Sequence, residues 1–324
     1  MFRPIAPLLC ILCLIPAFSC GRDEAWDVFA GRSMAELVVR SAAGMEKFDV
    51  MAFDSSSGKL VCRGRADDGK ASLTLPLWTA CDICLLANIP SEDVSRIRCI
   101  EDYISSRVCL EDGSPFSLPS SGRACNVEVP SAEVVVDASR LFSKVSVLRI
   151  SPLFMADNPP GRKVTLNRIY LVNVNGSVPY EGTAEVGEVW HNALFPEKDL
   201  PPQLQRLLVR DMDYEVSDTM AIQLSVELFC CPNPVSNDVT FLENPEWSPR
   251  NTRVVVEFTV GSRKTYYPVS LPSMRSGTEY RINGMILSGD GSPHPDIPVD
   301  GRDFLDSDIV VVPWRDSDVV CPLY

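Results

Sequence analysis

The chain has 324 residues, is 45% hydrophobic and carries a formal net charge of −13. That length and apolar share supply enough material for two domains of ordinary size, each able to bury a core. The acidity, with no cluster of lysines and arginines against it, excludes a nucleic-acid partner, whose phosphates demand a positive face.

The opening stretch, "MFRPIAPLLCILCLIPAFSC", places Arg3 ahead of an apolar run over residues 5–18. The run falls short of the ~20 apolar residues that span a bilayer and has the form of an export signal. No later run reaches that length. Ala17, Phe18 and Ser19 before Cys20 resemble the lipobox of bacterial lipoproteins, in which the cysteine after the signal receives lipid. That resemblance implies a signal peptide over residues 1–19, lipidation at Cys20 and an outer-membrane lipid anchor. Ordinary cleavage nearby, with Cys20 a plain thiol, is the alternative. Residues 20–34 then read as an acidic tether, and acyl chains would hold the protein by burying CH₂ groups.

Beyond the tether the pattern is mostly of strands. "ELVVRS" is a short strand. "KFDVMAFD", residues 47–54, is apolar on both parities, as a strand between two packed layers is. "SSSG" turns it into "KLVCRG", a hairpin. In "ASLTLPL" Leu73, Leu75 and Leu77 share one face and Ser72 and Thr74 the other, which is a half-buried strand. "CDICLLAN" continues the series. A helix is predicted over "PSEDVSRIRCIEDYIS", with Ser91 as N-cap, Glu92 and Asp93 in the first turn, and Val94, Ile97 and Ile104 at helical spacing. A second is predicted at "PPQLQRLLV", with Pro202 near its start. Strands resume with "EVVVDA", "SKVSVLRI", "NRIYLVNVNG", "AIQLSVELFCC", "RVVVEFTVG", "KTYYPVSLP", "EYRINGMILSG" and "DIVVVPW". Alternation in the fourth of these puts Cys230 inside and Cys231 outside. Regular strands with Gly, Pro, Asn and Asp turns and few helices mean an all-β chain of sandwiches. Residues 180–218, rich in charge and proline, read as a linker or cover between two of them.

No constellation for chemistry emerges. There is no G-x-S-x-G, Walker loop, G-x-G-x-x-G or H-E-x-x-H, so neither an enzyme nor a cofactor is expected. The chain has twelve cysteines. Cys10 and Cys13 would leave with the signal, and Cys20 would carry the lipid that the lipobox resemblance implies. The nine that remain are an odd number, so at least one thiol stays unpaired within the chain. "CDIC", Cys81 to Cys84, has no second ligand pair at short spacing for zinc, and in a strand its two thiols face opposite sides. His191 follows Trp190 and reads as a histidine packed on an aromatic. The stretch 285–304 holds Asp290, Asp296, Asp300 and Asp303, with Asp306 just beyond. Their irregular spacing, without a closing Glu, does not match a calcium loop. His294, between Pro293 and Pro295, is expected to be exposed.

The C-terminal third carries a more specific pattern. "YYPV", then Tyr280 and Ile282, a Gly-x-Gly-Ser turn, a Pro-Asp-x-Pro segment and a closing strand ending in Trp314 resemble the C-terminal domain of the fimbrillin family, the lipoprotein pilins of type V pili. More weakly, "LFCCPNPV" looks like the family's strand ending in Pro-Asn. "RLFSKVSVLRI" with "LNRIYLVNVNG" looks like the last strands of its N-terminal domain, and "FDVMAFDSSSGKLV" through "CDICLLAN" like that domain's opening meander. The resemblance implies two transthyretin-like Greek-key β-sandwiches, here over residues 35–178 and 179–324. It also implies a surface fimbria supporting cell adhesion, built from pilin subunits by donor-strand exchange. In that scheme an arginine-specific protease removes the first strand and another subunit's C-terminal strand fills the groove. Arg40 is the matching cleavage position, since Arg22 and Arg32 precede the strand. The donor tail would be "RDSDVVCPLY", with Val319, Val320, Cys321 and Leu323 as its apolar residues. An uncleaved first strand would instead match the family's anchor subunits. A non-polymerising surface lipoprotein that binds a glycan or host protein is the alternative on the same scaffold.

Overall fold

The computed structural model describes residues 33–159, 161–187, 189–191, 201–235, 251–295 and 305–314. The first part of the chain forms β1 (Met34–Ser41), β2 (Phe48–Asp54), β3 (Leu60–Ala66), β4 (Lys70–Pro76) and β5 (Ala80–Ala87), then α1 (Ser91–Arg96) and α2 (Ile100–Ser105). Next come β6 (Arg107–Cys109), β7 (Ser120–Glu128), β8 (Glu133–Val136), β9 (Ala138–Arg140), β10 (Ser143–Pro152), β11 (Val164–Val172), β12 (Val174–Asn175), β13 (Ser177–Pro179) and β14 (Trp190–His191). The chain closes with α3 (Pro202–Leu208), β15 (Val209–Glu215), β16 (Ile222–Cys230), β17 (Arg253–Val260), β18 (Arg263–Ser270), β19 (Thr278–Leu287) and β20 (Leu305–Pro313). The all-β expectation holds.

Two sheets build the N-terminal sandwich, ordered β4-β1-β8 and β3-β2-β5-β7-β9. Leu37, Val39, Val50, Ala52, Leu73, Leu75, Ile83 and Leu85 are buried together in its core. The five-stranded sheet is apolar on its second face too. Met51, Phe53, Cys84 and Leu86 join the larger core with Val94 and Ile97 near α1, Tyr103 of α2 and the strands of the C-terminal half. That is why residues 47–54 carry apolar side chains on both parities. The hairpin turn is closed by Asp54, whose Oδ1 accepts the amides of Ser56 (3.1 Å) and Ser57 (2.8 Å), with Gly58 at φ +69.

The C-terminal sandwich consists of β16-β10-β19-β20 and β15-β11-β17-β18. β10 and β11 therefore hydrogen-bond into C-terminal sheets, β10 with β16 and β19, β11 with β15 and β17. They had been expected as the last strands of an N-terminal domain ending at residue 178. Sheet membership is a matter of long-range pairing, which strand periodicity does not encode, and the pairing moves the crossover to the short stretch between β9 and β10. Residues 180–218 are likewise more than a linker, because α3 buries Leu204, Leu207 and Leu208 and β15 pairs with β11.

The helix predicted over residues 90–105 is broken in two. Ile97 is extended (φ −72, ψ 119) and Asp102 Oδ2 accepts the amides of Arg98 (2.7 Å) and Cys99 (3.1 Å), which starts α2 afresh. The break lets Arg98 O accept from Leu60 N and Ile100 N donate to Gly58 O, bonding the segment to the β2–β3 hairpin. Ser91 lies inside α1, with Pro90 at the cap position. Cys231 is buried like Cys230, against the alternation that had put it outside, since the chain leaves β16 there and strand periodicity no longer applies.

The motif residues of the C-terminal third are structural. The Tyr280 hydroxyl donates to Ser273 O (3.0 Å) and accepts from Arg275 N (2.8 Å), holding the approach to β19. The Tyr267 hydroxyl donates to Gly289 O (2.8 Å), and Tyr266 and Ser292 exchange backbone hydrogen bonds. The glycine turn at 289–292 is thereby folded onto β18, and His294 is half-buried rather than exposed. Residues 296–304 of the aspartate-rich stretch lie outside the described residues. Tyr280→Phe removes both hydroxyl bonds at a buried site and is expected to destabilise the fold by ~1–3 kcal/mol, read as a lower urea midpoint with unchanged slope.

Candidate functional site

β1 is the middle strand of its layer. It pairs antiparallel with β4 from Met34↔Pro76 to Arg40↔Lys70, and parallel with β8 from Val38↔Glu133 to Ser41↔Val136. Leu37 and Val39 point into the core and are fully buried, while Glu36 and Arg40 face outward. Burial of two such side chains contributes roughly 1.5–3 kcal/mol each. Among the described residues the only strand hydrogen-bonded to β8 is β1. Removing β1 would uncover the inward faces of Leu73, Leu75 and Val136 and strip two strands of backbone partners at once.

Arg40 stands at the far end of this strand. Its Nε lies 3.0 Å from Glu133 Oε1, an exposed pair that adds little stability. The strand runs one residue further, and Ala42 N donates to Val136 O at 2.8 Å. The Ala42–Lys47 loop that follows is mostly exposed, with Gly44 at φ +67. A protease must therefore peel back the last two residues of β1 to reach the bond after Arg40, starting from a loop open to solvent.

The remaining expected site residues, Cys20 and Val319, Val320, Cys321 and Leu323, lie outside the described residues. The root of the tail does not. β20 is bonded to β19 on one side, and Trp314 N donates to Gly277 O at 2.8 Å. The Trp314 ring stacks on Phe229 with centroids 5.6 Å apart, and Lys144 Nζ lies 5.8 Å from its centre. Lys144 in turn lies 2.6 Å from Glu227 Oε1 and 3.9 Å from Glu279 Oε1. Glu279 also accepts from Ser146 Oγ (2.7 Å) and Arg281 Nη2 (2.9 Å). Burial alone would raise the pKa of Glu279. The hydrogen bonds from Arg281 and Ser146 and the charge of Lys144 outweigh it and hold the carboxyl below the usual glutamate range.

Among the described residues the thiols show no cluster that could hold a metal ion. None of the eight described cysteines is in a disulfide. Cys81 sits in the N-terminal core and Cys84 in the larger one, on opposite faces of β5, so the pair cannot close on one ion. Burial pushes the Cys84 thiol up to about 12. His191 is half-buried in β14 opposite Val174, and desolvation lowers its pKa below the ordinary imidazole value, only partly opposed by Glu111.

One feature escaped the sequence reading. Trp78, at the β4–β5 turn, is 85% exposed and has φ +62. Only its position directly after a strand-ending Pro-Leu pair hints at a turn. Pairing of β8 beside β1 was also unreadable, since a four-residue strand carries no signal for a parallel neighbour.

No family model and no curated protein sequence matches the chain. In structure it is similar to a candidate cell adhesion protein from Bacteroides eggerthii, at TM-score 0.66 and 13% identity over 87% of this chain and 97% of that one. It is similar to a fimbrilin, FimA, from Porphyromonas gingivalis, at TM-score 0.59 and 12% identity over 86% and 97% of the two chains. It is also similar to the C-terminally truncated tip fimbrial protein Mfa3 of the same species, at TM-score 0.54 and 13% identity over 87% and 100%. At these identities the likeness is one of fold, and it extends through both sandwiches.

Leu37→Ala is expected to destabilise the fold by ~2–5 kcal/mol, measured by urea denaturation. The Glu279 pKa is lower folded than unfolded, so its contribution is present above the unfolded value of ~4.3 and lost as pH falls through the folded one. The stability gap between wild type and Glu279→Gln should therefore narrow on acidification below about pH 4; a gap independent of pH would contradict the assignment.

Proposed function

We propose that this chain is a structural subunit of a surface fimbria, exported as a lipoprotein through Cys20 and assembled by strand exchange after loss of β1. The observation that carries the reading is the place of β1. An N-terminal strand is inserted between two partners, fills the core with Leu37 and Val39, and is followed by an exposed loop next to an arginine. An arginine-specific protease cutting after Arg40 frees that strand. The vacated slot offers unpaired backbone on β4 and β8 over an apolar floor, which is what β-augmentation requires. Residues 315–324 of another subunit, with Val319, Cys321 and Leu323 on one parity and Val320 on the other, supply the replacement strand. The fold shared with a fimbrilin and a tip fimbrial protein supports the same reading.

A second reading follows from the ladder around Arg40. Because Arg40 is still paired with Lys70 and Val135, the bond after it is shielded, which suits a subunit that keeps β1 and ends or anchors growth. The two are separated by N-terminal sequencing of the mature surface form. A start at Ser41 supports the polymerising subunit, and a blocked, lipidated Cys20 supports the anchor. On either reading Cys20→Ala should abolish acylation and surface delivery, assayed by mass spectrometry and cell-surface labelling. Normal surface display of that variant would rule out the lipoprotein route.

A further inference from the structure

We infer that Lys264 and Asn167 are a cross-linking pair, set to join their side chains in an amide bond with Glu257 as the proton carrier between them. The pair lies in the C-terminal sandwich and does not depend on the strand-exchange reading. In the sheet β15-β11-β17-β18 the three residues occupy three successive strands, Asn167 on β11, Glu257 on β17 and Lys264 on β18. Lys264 pairs with Thr259, two residues along from Glu257, so the lysine and the carboxylate share one face of the sheet. Asn167 falls at the irregularity between Leu166 and Arg168 in the β11–β17 ladder. An irregularity of this kind re-aims a side chain. Here Asn167 Nδ2 donates to Glu257 Oε1 (3.1 Å) and to Thr259 Oγ1 (2.8 Å).

Lys264 Nζ lies 3.1 Å from the same Glu257 oxygen. An amine and a carboxamide thus meet on one carboxylate oxygen, no further apart than two hydrogen bonds. The Glu257 side chain is only 2% exposed, and Arg168 Nε stands 3.8 Å from its other oxygen. Across the β17–β18 ladder Glu257 faces Tyr266, which packs with Tyr170, Val172 and Val255 in a buried patch. The carboxamide nitrogen, the atom that must depart, is the one turned toward the carboxylate. Lys264, 45% exposed, has room to swing its amine toward Asn167 Cγ.

The chemistry is amide exchange. Glu257 takes a proton from the Lys264 ammonium, which activates the amine as a nucleophile. The amine's electron pair attacks Asn167 Cγ and forms the Nζ–Cγ bond. Glu257 returns its proton to Nδ2, the Cγ–Nδ2 bond breaks, and ammonia leaves, carrying off the surplus proton of Nζ as ammonium. The net change replaces the lysine ammonium by a released ammonium ion, and nothing is oxidised or reduced. Strand pairing holds amine, carbonyl and proton carrier together, which replaces a bimolecular encounter by an intramolecular one. The product ties β11 to β18 across β17, so the sheet could not be pulled apart without breaking a covalent bond.

The test is peptide mass spectrometry of the purified full chain after trypsin, which cuts beside an unmodified Lys264 and not beside an acylated one. Wild type should yield residues 164–168 joined to residues 264–275, lighter than the two peptides together by one ammonia. Lys264→Arg, which keeps a cation beside Glu257, and Asn167→Ala should each lose the joined species. Glu257→Gln should form it at least roughly a hundredfold more slowly. Cleavage after Lys264 in wild type with Asn167 unmodified overturns the inference and leaves an ion pair only. Conversion of Asn167 to aspartate without the joined species overturns it as well, and equal cross-linking in Glu257→Gln overturns the role given to the carboxylate.

Discussion

The three-stranded layer of the N-terminal sandwich depends on its middle strand. β4 is joined by a tight connection to β5 and adjoins β3, but β8 is held in the layer through β1. Among the described residues the short Ala42–Lys47 loop ties β1 to β2. The layer thus concentrates a large local burial of apolar side chains in the one strand that bonds to both of its neighbours. A sheet edge elsewhere would not combine these properties, because losing an edge strand exposes one row of backbone groups, whereas losing β1 exposes two rows and the core beneath them.

The C-terminal sandwich is built for fixity. Its motif tyrosines are hydroxyl-bonded to turns, the glycine turn is laid along β18, and the root of β20 is held by an aromatic stack backed by a buried charge cluster. The N-terminal sandwich instead concentrates its pairing in one strand, β1, which bonds to both of its neighbours.

Local pattern was readable wherever one or both faces of a strand met a core. β2, apolar on both parities, does lie between two packed layers, and β4 and β16 alternate as the sequence required. The α3 leucines were likewise legible. What could not be read was decided over long range. β10 and β11 look like any buried strands, and only their partners assign them to the C-terminal sheets. The helix over 90–105 has adequate helical spacing throughout, yet the hairpin at Gly58 and Leu60 competes for its backbone groups and wins at Arg98 and Ile100. For the candidate site, β1 was legible as a strand and Arg40 was singled out only through the resemblance, while the burial of Leu37 and Val39, the double pairing of β1 and the exposure of Trp78 were not.

The distribution of sulfur has a kinetic consequence. Cys62 and Cys81 lie in one core and Cys84, Cys230 and Cys231 in the other, with thiolate formation at Cys84 and Cys231 suppressed by burial. Exchange proceeds through the thiolate, so Cys81, Cys84, Cys230 and Cys231, whose thiols burial pushes up, are inert once the sandwiches close. Before closure they are ordinary, reactive thiols. In an oxidising compartment the chain runs a race between collapse and random cross-linking, and a single wrong bridge between the two groups would tie together layers that must separate into different cores. Packing of the two N-terminal sheets against each other, and of β5 against the larger core, withdraws Cys62, Cys81 and Cys84 and must then outpace cross-linking, independent of how stable the finished protein is.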